Sequence, residues 1–267
     1  MCIGVFIWQS HPKYPLVLLL NRDEYHHRPT KPISWWEGCG ILGGRDEVAG
    51  GTWLGCTREG RLAFLTNVME PPPLPELESR GDLPVRFLKC RKSPMEFVND
   101  LAIEADQYNG FNLVVADLCS KTMAYISNRP KGDPVRVREV SPGIHVVSNA
   151  NDLDAPWHKA QRLHNNFKEL LDKYSKCDFP SKVMVEELML DTVKADESRL
   201  PRIRSFEWEY NSSSIFIDFD NQRGHFGTRS TTALTVKASG QVSVYEKHLG
   251  NEGWEEHTVD YQITKVD

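Results

Sequence analysis

No stretch of this 267-residue chain stays apolar for long. A membrane-crossing helix needs about 20 apolar residues in a row. The best candidate, Met1 to Leu20, is broken by Gln9-Ser10-His11-Pro12-Lys13. No basic segment precedes its first apolar piece, which argues against a secretory signal, and no arginine precedes Arg22, which argues against a mitochondrial presequence. Cys2 stands where N-myristoylation needs glycine, and Lys265-Val266-Asp267 is no prenylation signal. The expectation is a chain with no transmembrane segment.

Metal and nucleotide signatures are also missing. The six cysteines, at positions 2, 39, 56, 90, 119 and 177, include no C-x-x-C pair, which removes the usual structural zinc pattern. Their scatter suits free thiols in a reducing compartment. Nine histidines include the pair His26-His27 but no H-E-x-x-H. No cysteine precedes a proline and no C-x-x-C-H occurs, so a covalent or Cys-Pro haem site has no support; a labile haem site stays open. No metal site and no required cofactor are expected. There is no P-loop or G-x-G-x-x-G, and a net charge of -5 is not that of a nucleic-acid binder.

What is present is an ordinary globular composition, 40% hydrophobic and 26% charged, in a chain long enough for a substantial core. Cys2 to Trp8 and Leu16 to Leu20 read as two strands joined by a turn at Ser10-His11-Pro12. GGTWLGC and LAFLTN read as a second hairpin around Arg58-Glu59-Gly60, FNLVVADL and MAYISN as a third. VRVREV and IHVVSNA are further strands. Pro71 to Pro84 reads as a Pro-rich loop long enough to be functional or mobile. Ser93-Pro94-Met95-Glu96 starts a helix, with Ser as N-cap, Pro at N1 and Glu at N3, running to about Tyr108. Apolar spacing predicts helices over Pro156 to Tyr174 and from a Ser181 cap onward, the latter with Val185, Leu188, Met189 and Val193 inward. SIFIDF, TTALTVKA and QVSVYEKHL return to strands. Hairpins interleaved with long helices point to an α+β layered fold without a clear boundary, one domain over 1–267.

Cys2 carries the chemical interest. If Met1 is removed, one residue holds both a thiol and a free α-amine, whose ordinary pKa of about 7.7–8.0 lets it act as the thiol's own base. A buried cysteine is more often an inert small hydrophobe. The cluster Asn21-Arg22-Asp23-Glu24 shifts that balance. If the opening strands pair, it lies beside Cys2, where Asp23 can hold the α-ammonium and Arg22 can stabilise a thiolate or developing oxyanion. The competing reading is a solvated turn with a weak ion pair. Gly43-Gly44 and Gly50-Gly51 permit positive φ or a close approach of backbone to a ligand; tight hairpin ends explain them about as well. Ser148-Asn149 and Arg229-Ser230 flank later strands, where an amide and a guanidinium suit oxyanion or carboxylate recognition.

LLLNRDEYHHRPTKP with its following Trp35-Trp36, LGGRDEVAGGTWLG and RLAFLTN together resemble the NRDE-motif family, also called the transport and Golgi organisation 2 family. The likeness continues through YNGFNLVVAD, ISNRP, GIHVVSNA with APWHK, and GTRSTTAL, and looks most like a plant member. It implies an N-terminal nucleophile hydrolase-like fold, a four-layer α-β-β-α sandwich. By likeness to the cysteine hydrolases of that superfamily it implies catalytic roles for Cys2, Arg22, Asp23, Asn149 and Arg229. It also implies ligand contacts from Asn21, Glu24, Arg45, Gly50, Gly51, Trp53 and Asn67. Two departures matter. Arg22 and Asp23 are adjacent where those hydrolases have a spacer, and adjacent strand residues point to opposite faces. Val68-Met69 follows LTN where many members carry a basic residue.

The family association leads to a metabolite-handling protein of the cytoplasm, in contact with Golgi or mitochondria, whose small-molecule ligand is haem or an acyl-coenzyme A. The linked roles are haem mobilisation, acyl-coenzyme A and lipid homeostasis, Golgi organisation and secretion. The alternative is a Cys2 hydrolase cleaving an amide or thioester. A third reading, a structural adaptor for secretory membranes, needs neither a ligand nor a reactive thiol.

Overall fold

The computed structural model describes residues 2–71, 77–174 and 177–264. Strands β1 (Ile3–Trp8) and β2 (Leu16–Tyr25) open one sheet. Strands β3 (Thr30–Trp35), β4 (Ile41–Asp46), β5 (Leu54–Thr57) and β6 (Arg61–Asn67) start a second. Helices α1 (Asp82–Lys89) and α2 (Pro94–Glu104) follow, and β7 (Phe111–Asp117), β8 (Thr122–Ser127) and β9 (Arg136–Glu139) complete that sheet. The chain returns to the first sheet with β10 (Gly143–Val147) and crosses α3 (His158–Lys173), α4 (Ser181–Met184) and α5 (Phe206–Asn211). It ends in β11 (Asp218–Asn221), β12 (Gly224–Val236), β13 (Gln241–Leu249) and β14 (Trp254–Gln262).

The first sheet runs β10-β1-β2-β12-β13-β14, with β11 paired to β12, and the second runs β3 to β9 in chain order. Neighbouring strands within both sheets pair antiparallel. Strands covered on both faces need apolar residues at every position rather than at alternate ones. β1 and the first half of β2 meet that need. Leu16, Leu18 and Leu20 enter a core between the sheets with Phe6, Trp53 and Phe64. Val17 and Leu19 turn the other way, onto Leu163 and Phe167 of α3 and Met184 of α4. Leu83 and Phe87 of α1 and Val98 of α2 cover the outer face of the second sheet. The result is the expected α-β-β-α sandwich.

The capping box is present: Ser93 Oγ accepts from the Glu96 N–H, and Glu96 caps the Ser93 N–H in return. Several boundaries differ from the expectation. α2 stops at Glu104 and a 3-10 turn, Ala105–Gln107, carries the chain to Tyr108. Ser181 is the first helical residue and caps nothing; Pro180 precedes it. The second helix ends in a π-helical turn at Met189, so Val193 is exposed, not inward. SIFIDF is a strand only from Asp218, because Ser212 to Ser214 spend their hydroxyls on nearby backbone carbonyls, which favours turns. The Pro71–Pro84 loop is interrupted at its end by α1, and its middle, residues 72–76, lies outside the described residues.

Candidate functional site

The β1–β2 hairpin sets the site. Its register places Ile3 opposite Asn21, so Cys2 comes beside Arg22. A cleft of about 660 Å³ opens there, with Cys2, Arg22, Asp23 and Glu24 among its lining residues. The Cys2 side chain is nearly enclosed, 9% exposed. Its thiol lies within electrostatic reach of Arg22, Arg80 and Lys159.

Adjacent Arg22 and Asp23 do point to opposite faces, as strand geometry requires. Arg22 continues the Leu18-Leu20 row into the space between the sheets. Its guanidinium lies 4.3 Å from the Trp53 ring and 3.9 Å from Asp46. Burial pulls the Arg22 pKa down, while Glu24, Cys2 and Asp46 oppose that pull. Asp23 faces the helical layer, where Oδ1 accepts the Thr228 hydroxyl at 2.7 Å. Burial raises the Asp23 pKa; the Lys159 charge and the Thr228 bond partly offset it. Both residues still line the cleft, because it opens at the end of the sheet where the two faces meet.

Behind Cys2 sits a second polar group. Asn149 Nδ2 donates to Cys2 O at 3.2 Å and to Asn67 O and Oδ1 at 3.1 Å. Asn149 Oδ1 accepts from Lys159 Nζ at 2.8 Å. Lys159 also donates to Ser212 O and is 3% exposed. Burial pushes its pKa down to about 8, against the attraction of Asp23 and Cys2.

The rim is basic. Arg28 bonds Asp46 at 2.8 Å, and Arg204 and Arg223 line the same cleft. Burial alone would raise the Asp46 carboxyl. The Arg28 bond and charge, with the Val48 and Ala49 N–H groups, hold it below the ordinary value instead. Arg80 donates to Gly110 O at 2.9 Å, and burial lowers its pKa. The opposite wall is apolar: Leu65, Val68, Met69, Trp208 and Phe226.

Residues 1–251 match the family model described as "Transport and Golgi organisation 2". The chain belongs to that family. A mouse relative, the transport and Golgi organization 2 homolog, is 31% identical over 281 residues, covering 98% of this chain and 99% of the relative. The human homolog shows the same 31% identity and coverage. Among solved structures, the C2A mutant of conjugated bile acid hydrolase from Clostridium perfringens superposes with a TM-score of 0.52. The identity there is 8%, with 100% of this chain and 98% of that chain covered. The fold is therefore of the N-terminal nucleophile hydrolase type.

For this family member, the structure sorts the residues singled out from sequence. Cys2, Arg22, Asp23, Glu24, Trp53 and Asn67 line the cleft. Asn21 does not: its amide is fully buried and donates to Met189 O and Ile215 O, tying β2 to the helical layer. Arg45 is exposed and lies over Trp36. Gly50 serves a turn with φ of 75°. Gly51 meets backbone rather than ligand, since a Cβ there would stand 2.2 Å from Gly81 O. Asn149 sits behind Cys2 instead of lining the cleft. Arg229 falls at a β-bulge between Thr228 and Ser230, and it donates to Tyr25 O and Arg28 O, so it braces the turn that carries Arg28. Val68 and Met69 form part of the apolar wall.

Two site residues escaped the sequence reading. Lys159 lies in the first turn of a helix whose apolar spacing drew attention to its neighbours. Arg80 lies in the Pro-rich stretch. Lys159 closes the APWHK stretch that carries part of the family likeness but was given no role there, and Arg80 showed only a charge in Pro-rich sequence, which is common on surfaces.

Proposed function

We propose that this cleft binds and hands on an amphipathic organic anion, of the class to which haem and acyl-coenzyme A belong. One observation carries the reading: five arginines and an aromatic and aliphatic wall line one cleft, together with Asp23, Glu24, Glu70, Glu78 and an Asp46 that pairs with Arg22 and Arg28. The floor is Arg22 and Arg80, the rim Arg28, Arg204 and Arg223. Guanidinium groups suit the carboxylates or phosphates of such a ligand, and the apolar wall suits its hydrocarbon part. In the cell this is a metabolite-handling role in the cytoplasm, near Golgi or mitochondria, that supports lipid or haem homeostasis and secretion. Titration of acyl-coenzyme A and of haem into the wild-type, Arg22→Ala and Arg80→Ala proteins tests it. A loss of affinity of tenfold or more in each variant is expected, since a charge-assisted hydrogen bond contributes about 1.5–3 kcal/mol. Unchanged affinity in both variants overturns it.

A second reading is supported by the position of Cys2 itself. With Met1 removed, the Cys2 thiolate would attack an acyl carbon, expel an amine or thiol that takes up a proton, and leave a thioester for water to cleave. Asp23 would hold the α-ammonium and Arg22 the developing oxyanion. Intact mass after treatment with a thiol-specific acylating probe decides it. Loss of Met1 with label on Cys2 supports the hydrolase, and retained Met1 with an unlabelled Cys2 removes it.

A further inference from the structure

The inner face of the first sheet carries a polar patch that neither reading uses. Residues on β13 alternate, so Val242 and Val244 enter the core between the sheets and Glu246 and His248 continue that row. On β14 the inward row contains Tyr261, Val259, His257 and Glu255. The register pairs Glu246 with His257 and His248 with Glu255. Two histidines and a carboxylate thus converge at one end of the core, where sequence shows only an E-x-H and a distant histidine.

The geometry points to a binding site for one divalent first-row transition cation, held by Glu246, His248 and His257. One ligand atom from each of the three lies within 4.8 Å of the others. His248 Nδ1 is 3.9 Å and His257 Nε2 is 3.8 Å from Glu246 Oε2. Ligands at about 2.0–2.2 Å from a tetrahedral ion stand about 3.4 Å apart, so each histidine closes on Glu246 by roughly half an ångström, and the two histidines close from within 4.8 Å of one another.

A second observation points the same way. Glu246 is 0% exposed, and among the described residues neither its Oε1 nor His248 Nδ1 has a hydrogen-bond partner. Thr232 Oγ1, on the residue paired with Glu246 across the ladder, is in the same condition. Buried polar atoms left without partners cost about 1–3 kcal/mol each, so a cluster of them calls for an occupant. A bound cation would supply the missing compensation.

The ligand chemistry is consistent in its details. Two imidazoles and one carboxylate suit zinc with a water in the fourth position, or iron(II), cobalt(II) and manganese(II) with more open positions. Glu255 stands 3.8 Å from His248 Nε2, on the side away from the ligating Nδ1, where an outer carboxylate orients a ligating histidine. His257 Nε2 now donates to Ile33 O at 2.9 Å; on metal binding that bond opens and the ring carries its proton on Nδ1 instead. Glu246 Oε2 accepts the Ile33 N–H at 2.7 Å, so the loaded site also ties β13 and β14 to β3 of the other sheet.

The test uses the untagged full chain, stripped with chelator and titrated with Co²⁺ and Zn²⁺. One Co²⁺ per chain with visible ligand-field bands, and a higher Tm with Zn²⁺, are expected. Glu246→Gln and His248→Ala should each weaken binding at least tenfold. A rival cluster exists on the surface, His26, Asp218 and His225, in which His225 already bridges Asp218 and Asp220. His225→Ala should leave the binding unchanged. The inference is overturned if no stoichiometric Co²⁺ binds, or if only His225→Ala abolishes it. Should both inner-face variants fail to fold, X-ray absorption of the zinc-loaded wild type decides. Two imidazoles with a carboxylate and a solvent-poor shell support the site, and a shell of solvent oxygen overturns it.

Discussion

Lys159 Nζ donates to Asn149 Oδ1 at 2.8 Å, and this bond sets which way the Asn149 amide faces. With the oxygen held by the lysine, Nδ2 is turned onto Cys2 O and the Asn67 side chain. A buried cation thus orients the polar wall behind the candidate nucleophile, and it faces Asp23 across the helical side of β2.

Removing that cation should be costly. Lys159→Ala takes one member from a buried charged group and leaves Asn149 Oδ1 without its donor, so about 3 kcal/mol of stability is lost. Urea denaturation followed by tryptophan fluorescence measures it. A loss under about 1 kcal/mol would show that relief of the buried charge offsets the bonds that Lys159 makes.

Lys159 also gives the stability a pH dependence. Its folded-state pKa of about 8 lies below the ordinary 10.5. Between those values the unfolded chain holds a proton that the native one has released, so stability rises with pH across that window. The group's cost is fully present below about pH 8 and is relieved towards pH 10.5. The relief amounts to roughly 3 kcal/mol at 1.36 kcal/mol per unit. The wild-type curve minus that of Lys159→Met should show this rise; parallel curves would refute it.

Asn21 should prove structural. Asn21→Ala strands the buried carbonyls of Met189 and Ile215, costing about 2–4 kcal/mol. Affinity for an acyl-coenzyme A, measured by calorimetry on the folded fraction, should not change. A selective loss of affinity would return Asn21 to the site.

Gly51 should matter through its neighbour. A methyl group there meets Gly81 O at 2.2 Å and must push away the segment that brings Arg80 to the cleft. Gly51→Ala should cost about 1–3 kcal/mol and weaken binding of an anionic ligand. Gly50→Ala is strained only through its φ of 75°, because nothing lies within 4 Å of its Cβ position. It should lower stability without weakening the ligand. Equal effects on affinity would separate neither residue from the site.

Thr228→Val removes the hydroxyl that Asp23 Oδ1 accepts and keeps the shape of the side chain. The Asp23 carboxyl then moves further above its ordinary value. The buried Ile217 N–H, which donates to the Thr228 hydroxyl at 3.0 Å, also loses its acceptor, so about 2–3 kcal/mol of stability should go at neutral pH, with less lost where Asp23 is protonated. Denaturation at two pH values checks this, and an equal loss at both would remove the hydroxyl's charge-dependent role.

The local pattern by itself settled the elements and one key neighbour. Apolar runs in β1 and β2 marked strands, Ser93 to Glu96 marked a helix start, and the short turn between the first strands brought Arg22 beside Cys2. Those are interactions over a few residues, and the residues concerned carry them wherever they fold. The partners across the sandwich were decided only by tertiary pairing. The period of two says that Asn21 and Asp23 share a face and Arg22 takes the other, but not which face meets the helices. β12 pairing with β2, over about 200 residues of separation, put Thr228 on Asp23 and threw Arg229 out at a bulge. The crossing of α3 brought Lys159 under Asn149, and the pairing of β13 with β14 brought His257 to Glu246. Charge buried at such meeting points has no local signature, because the same lysine or glutamate on an isolated strand or helix would be solvated.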